Sequence, residues 1–222
     1  MSFFTRLRDD NADIWSRYVG HPFVQGLQDG TLPKPAFEYY LKQDYLFLIQ
    51  FAKAYALAAY KSDTLDQMKA ATATVSALID TEMALHIEYC AQWGISEKEM
   101  QEIAEDPQNM AYTRYVLEKG HSGDILDLYV ALSPCVIGYG EIGKLLGQSA
   151  RTKREGNPYL PWIEMYAGDD YQAVFRSAIE QLDGLAEERL TPARYASLSK
   201  TFAEATRLEV GFWQMGLDVL KS

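Results

Sequence analysis

A chain of 222 residues, 48 % of them hydrophobic, is long enough to bury a substantial core and too apolar for intrinsic disorder. Its formal charge of −10 at pH 7 repels phosphate backbones, which argues against nucleic acid as a partner. The two cysteines, Cys90 and Cys135, are too few for a disulfide scaffold and suit a reducing cytosol; the longest charge-free run is 13 residues, Leu128 to Gly140, short of a membrane span, and the chain opens into charged residues, so a cytoplasmic protein with no membrane partner is expected.

Apolar residues recur with a helical period through nearly the whole chain. Phe3, Leu7, Ile14, Trp15 and Tyr18 predict a first helix that stops at Gly20-His21-Pro22. Gly26 to Pro33 reads as a turn-rich connector, and Pro33 and Pro35 suit the start of a long helix running to about Tyr60. A further helix starts near Asp63-Thr64 and ends near Trp93-Gly94, and Ser96 to Glu99 fits a capping box for a short one. The next runs from about Asn109 to Lys119, with Gly120 placed to end it. Asp124 to about Gln148 predicts a helix interrupted at Pro134, because the missing N–H deprives the Val130 carbonyl of its partner. Loops at Gly156-Asn157-Pro158 and Gly168-Asp169-Asp170 bracket a short piece containing Trp162. The last two helices fit Asp170–Glu188 and Pro192–Leu220, the second with Thr191 as N-cap. With no useful β alternation, repeat or linker, the expectation is a single all-α domain over 1–222, a bundle of amphipathic helices.

Three residues stand out chemically. Cys135 follows Pro134, and a helix break there would place a new helix N-terminus beside the thiol and favour the thiolate. Tyr139 lies at i+4 on the same face, and Gly138, Gly140 and Gly143 leave room for close approach. The same pattern also describes a buried packing cysteine in a kinked helix. Asp44 sits in a stripe with Phe47, Phe51 and Tyr55, where a buried acid must be bonded or used; an acid at the solvent edge of that stripe is the alternative. Glu209 has Phe212 and Trp213 at i+3 and i+4, an apolar setting that suits a general acid, against the alternative of a surface glutamate. Tyr112 and Tyr166 are two of 15 tyrosines and carry no signal alone. Glu82 and His86 have the i, i+4 spacing of metal ligands on a helix and keep open a metal-dependent or cofactor-free oxidase. His21, before Pro22, reads as a structural hydrogen-bonding group at a helix end.

In order along the chain, six segments resemble the TenA family (thiaminase II, aminopyrimidine aminohydrolase). They are His21-Pro22-Phe23-Val24 with Asp29-Gly30-Thr31-Leu32; Tyr40-Leu41-Lys42-Gln43-Asp44-Tyr45; Ala111-Tyr112-Thr113-Arg114-Tyr115; Pro134-Cys135 with Gly138-Tyr139 and Glu141-Ile142-Gly143; Tyr159 with Trp162-Ile163 and Tyr166; and Glu209 with Phe212-Trp213. The resemblance implies a haem-oxygenase-like helical fold without haem, metal or other cofactor, assembled as a homotetramer. It implies hydrolysis of 4-amino-5-aminomethyl-2-methylpyrimidine to the hydroxymethylpyrimidine and ammonia, with thiamine a slower substrate. Cys135 is implied to be the nucleophile, Glu209 the proton donor, and Asp44 the group that hydrogen-bonds the aminopyrimidine. Phe47, Tyr112, Tyr139 and Tyr166 are implied to line the pocket, one aromatic-walled cavity for a flat ring. The chain departs from the family at Phe47, often tyrosine there, so the wall keeps its apolar area and loses a hydroxyl. Cys135 places it in the cysteine-containing branch. A non-catalytic pyrimidine-binding oligomer is the remaining alternative.

Overall fold

The computed structural model describes residues 2–221, which form helices and, among the described residues, no strand. The α-helices are α1 Phe3–Asp10, α2 Ala12–Val19, α3 Pro22–Asp29, α4 Lys34–Lys61, α5 Leu65–Ser76, α6 Met83–Gln92, α7 Glu97–Glu102, α8 Pro107–Ser122, α9 Ile125–Gln148, α10 Leu160–Ala167, α11 Asp169–Arg189 and α12 Pro192–Asp218. A π-helical segment, Ala77–Glu82, joins α5 to α6, and a 3₁₀ turn, Val219–Lys221, follows α12. The residues divide into two compact units: unit 1 is Met1–Pro33 with Tyr129–Gln214, and unit 2 is Lys34–Leu128 with Met215–Ser222.

In unit 1 the expected first helix is two. Asn11 breaks it because its amide donates to the Leu7 carbonyl at 2.8 Å and to the Ser199 hydroxyl at 3.0 Å, a side chain competing with the helical ladder. The expected connector begins later than read, since Pro22–Asp29 is helical. Pro22 opens α3, the His21 imidazole accepts from the Phe23 N–H, and Gly30, at φ 68°, ends it with the Gly26 carbonyl accepting from Thr31 and Leu32.

The break expected at Pro134 does not occur: α9 runs unbroken from Ile125 to Gln148. The Ser133 hydroxyl donates to the Val130 carbonyl at 2.9 Å, replacing the N–H that proline lacks, and the Tyr18 hydroxyl donates to the Pro134 carbonyl at 3.2 Å. Cys135 is therefore mid-helix, with no helix N-terminus beside its thiol. α9 is long and apolar enough to cross a membrane, but 83 % of its most apolar stretch is buried, as in the core helix of a bundle. Its neighbours come very close. A Cβ at Gly140 would lie 2.5 Å from the Phe175 ring, one at Gly138 would run into the Tyr18 ring, and one at Gly143 would run into the Tyr166 backbone.

In unit 2, α4 spans the long helix expected, Thr64 caps α5, and the capping box of Ser96 and Glu99 opens α7. Gly120 does not end α8, which continues to Ser122; its missing side chain leaves room for Leu57, which a Cβ would meet at 2.6 Å. A buried glutamine organises this unit. Gln43 donates to the Ala104 carbonyl at 2.9 Å and accepts from the Asp106 N–H at 2.9 Å, while its own carbonyl accepts from Asn109 at 2.9 Å. One side chain on α4 thus fixes the entry to α8, the helix of Tyr112.

Two glycine substitutions should move stability in opposite directions. Gly143→Ala meets backbone that cannot rotate away and should destabilise by about 1–3 kcal/mol. Gly184→Ala in α11 meets open space and should stabilise by about 0.5–1 kcal/mol through helix propensity. Thermal denaturation of both variants checks the pair.

Candidate active site

Unit 1 holds four of the expected site residues. Cys135 is a half-buried cysteine on α9 that forms no disulfide, and Tyr139 follows one turn later. The Tyr139 ring lies 5.1 Å from Tyr166 on α10 and 5.1 Å from Trp213 on α12, centroid to centroid. Trp162 closes the cluster at 4.5 Å from Tyr166. The Gln172 amide donates to the carbonyls of Tyr166 at 2.9 Å and Gly140 at 2.8 Å, and so fixes the end of α10 against α9. Glu209 lies one turn before Trp213 and is only 1 % exposed, which removes the surface alternative. The thiol and this carboxyl therefore each precede, by one turn, one ring of the touching Tyr139–Trp213 pair. In that cluster Tyr139, Trp162 and Trp213 are buried, and a polar contact that a ligand makes among buried rings is strengthened by the low local dielectric.

Unit 2 holds the other three. Asp44 is on α4, and Phe47, one turn on, stacks on Tyr112 at 5.5 Å and on Phe51 at 5.1 Å. The apolar stripe is buried as read, and the Asp44 side chain, 14 % exposed, is within it rather than at a solvent edge. Burial pushes the Asp44 carboxyl up to about 7, with repulsion from Glu82 as the second cause. The ionisable group facing it is His86 on α6, whose Nδ1 stands 3.6 Å from Asp44 Oδ2, an ion-pair separation rather than a hydrogen bond. His86 Nε2 lies 2.9 Å from the Leu41 carbonyl, and burial lowers the imidazole pKa. Cys90, one turn further on α6, is buried 3.4 Å from that nitrogen, and burial first, then Asp44, pushes its thiol up to about 12. Of the two cysteines, Cys90 is the buried one.

The expected residues thus come together as Tyr139 with Tyr166 and the Glu209 helix in unit 1, and as Asp44 with Phe47 and Tyr112 in unit 2. The pair read as potential metal ligands is arranged differently: His86 directs one nitrogen to a backbone carbonyl and the other to Asp44, and no three His, Cys, Asp or Glu side chains among the described residues form a metal-binding group. The link from His86 to Asp44 was not read from the sequence, although Glu82, His86 and Cys90 at four-residue steps mark one line of side chains. His21 fills the structural role expected of it, its Nδ1 3.2 Å from the Phe23 nitrogen.

The raised Asp44 pKa sets a pH dependence. The folded chain holds this proton to about pH 7, while an unperturbed carboxyl releases it near 3.8, so stability falls as pH rises through that window. Asp44→Asn removes the penalty. Its melting temperature should exceed the wild type's at pH 8 and approach it as pH falls toward 4, the margin changing by up to about 1.4 kcal/mol per pH unit. Calorimetry of both proteins across that range checks it.

A model of the TENA/THI-4/PQQC family matches residues 8–219. An aminopyrimidine aminohydrolase of Halalkalibacterium halodurans is 37 % identical over 219 residues, 98 % of this chain and 96 % of that one. A solved structure described as a TenA family transcription regulator, from Silicibacter sp. TM1040, is 50 % identical and superposes with a TM-score of 0.91 over 96 % of each chain. A domain with a haem-oxygenase-like fold from Shewanella denitrificans, 14 % identical, superposes at 0.70 over 98 % of this chain and 93 % of its own, which shows the fold alone. With its all-helical fold and a family match over nearly its full length, the chain belongs to the TENA/THI-4/PQQC family.

Proposed function

We propose that the protein is a hydrolase of carbon–nitrogen bonds in thiamine salvage, an aminopyrimidine aminohydrolase of the thiaminase II type. Its substrate is 4-amino-5-aminomethyl-2-methylpyrimidine, and thiamine is the slower alternative. The observation that carries the reading is the placement of Cys135 and Glu209 one turn before the two rings of a touching aromatic pair. The aminopyrimidine aminohydrolase relative, aligned over 98 % of the chain, gives the substrate class.

The chemistry balances without an added reagent. The Cys135 thiolate adds to the electron-poor pyrimidine, and the electron pair gained by the ring expels the exocyclic amine. Glu209 supplies the proton that lets the nitrogen leave as ammonia rather than as an amide anion. Water then adds to the exocyclic methylene and returns a proton to Glu209, and loss of the thiolate restores the ring. Asp44 holds the aminopyrimidine edge. Phe47, Tyr112, Tyr139 and Tyr166 wall the flat ring, and Phe47 contributes area without a hydroxyl.

The protein acts in the cytoplasm as a homotetramer. Two cysteines that are not joined as a disulfide, Cys90 and Cys135, support the compartment. Leu65 and Met68 on α5 and Ile79 on the π segment, 65, 43 and 57 % exposed, support self-association, because apolar side chains of that size favour cover. Light scattering should give four times the 25.1 kDa chain mass.

Cys135→Ser and Glu209→Gln should each lower ammonia release, the second by about 10²–10⁴-fold, with circular dichroism unchanged. Full activity in Cys135→Ser would exclude covalent catalysis.

A further inference from the structure

Asp44 is an acid held away from water with no lysine or arginine at ion-pair distance among the described residues; the partner facing it is an imidazole. The geometry fixes the tautomer of that imidazole. His86 Nε2 sits 2.9 Å from the Leu41 carbonyl, which can only accept, so Nε2 carries the hydrogen. In the neutral ring the lone pair is then on Nδ1, the atom 3.6 Å from Asp44 Oδ2. Leu41 is one turn before Asp44 on α4, so the helix that presents the acid also orients the ring that looks at it. The other ionisable groups at this spot are Glu82 on the π segment, Cys90 on α6 and Lys42 on α4.

A 4-aminopyrimidine edge offers a ring nitrogen that accepts beside an amino group that donates. A protonated carboxyl offers the complementary pair, a donor beside an acceptor, and an ionised one offers two acceptors. We propose that His86 is a positioning residue, holding the Asp44 carboxyl in the orientation and protonation state that a ring nitrogen beside an amino group requires. This rests on the reading of Asp44 as the aminopyrimidine-binding group. Burial acts in the same direction, raising the carboxyl to about 7 and lowering the imidazole, so that the proton stays on Asp44 facing the Nδ1 lone pair in the free protein and turns to the ring nitrogen when the pyrimidine binds. Proton transfer from the carboxyl to the ring nitrogen draws electron density from the ring and favours thiolate addition, and the proton returns to Asp44 when the ring is restored.

His86→Gln is the variant of choice, because a glutamine amide can keep the donor to Leu41 while Nδ1 is lost. The expected result is a KM for the aminopyrimidine raised about tenfold, a smaller change in kcat, and an alkaline limb of the kcat/KM profile moved to lower pH. A wild type that turns over, with KM and pH profile unchanged in His86→Gln, overturns the assignment. A wild type without turnover overturns the reading of the site itself, and the pairing is then judged by imidazole nitrogen NMR, which requires neither turnover nor a folded His86 variant. Asp44→Asn should shift the His86 Nδ1 resonance and its titration; an unmoved resonance overturns the pairing.

Discussion

The arrangement around Cys135 depends on a helix with no side chain where its neighbours cross. At Gly138, Gly140 and Gly143, α9 presents bare backbone, and Tyr18, Phe175 and the Tyr166 backbone occupy the space a Cβ would take. That approach brings the Tyr166 ring to Tyr139 and joins both to the aromatic cluster that includes Trp213. It also carries the hydroxyl of Tyr18 to the Pro134 carbonyl. Proline next to the cysteine has a consequence other than the kink its chemistry suggests: a local serine and a distant tyrosine satisfy the surrounding carbonyls, and the thiol stands on an intact helix.

Unit 2 accommodates two neighbouring buried polar groups in different ways. Gln43 is fully buried and bonded through both ends of its amide. The next residue, Asp44, faces an imidazole that is itself held by α4. The contrast between the two is informative. Gln43 is neutral and satisfied, so it contributes to stability, whereas Asp44 lies in a place that raises its pKa and opposes its charged form. An acid kept where it destabilises the fold at neutral pH is the pattern of a group retained for binding or proton transfer.

Much of this was legible in the sequence, and the residues missed share a cause. The limits of α4, the Thr64 cap, the capping box at Ser96 and the short α10 follow from local periodicity and capping chemistry. The break at Asn11, the continuity of α9 through Pro134 and the passage of α8 through Gly120 do not. They depend on Ser199, Tyr18 and Leu57, and sequence distance hides such partners. The candidate site divides in the same way. Cys135 with Tyr139 and Glu209 with Trp213 are neighbours by helical spacing. The spacing of Glu82 and His86 suggested a metal, because the Leu41 carbonyl and the Asp44 carboxyl that occupy His86 lie on α4, more than 40 residues earlier.

The proposal most in need of a direct test is that the Cys135 thiol meets the pyrimidine. The rate of Cys135 alkylation, followed by peptide mass spectrometry with and without the hydroxymethylpyrimidine product, measures it, with buried Cys90 as the unreactive internal reference. Under the proposed function the pyrimidine slows alkylation of Cys135 in the wild type severalfold while Cys90 is unaffected. Alkylation of wild-type Cys135 at an unchanged rate under saturating pyrimidine would contradict it.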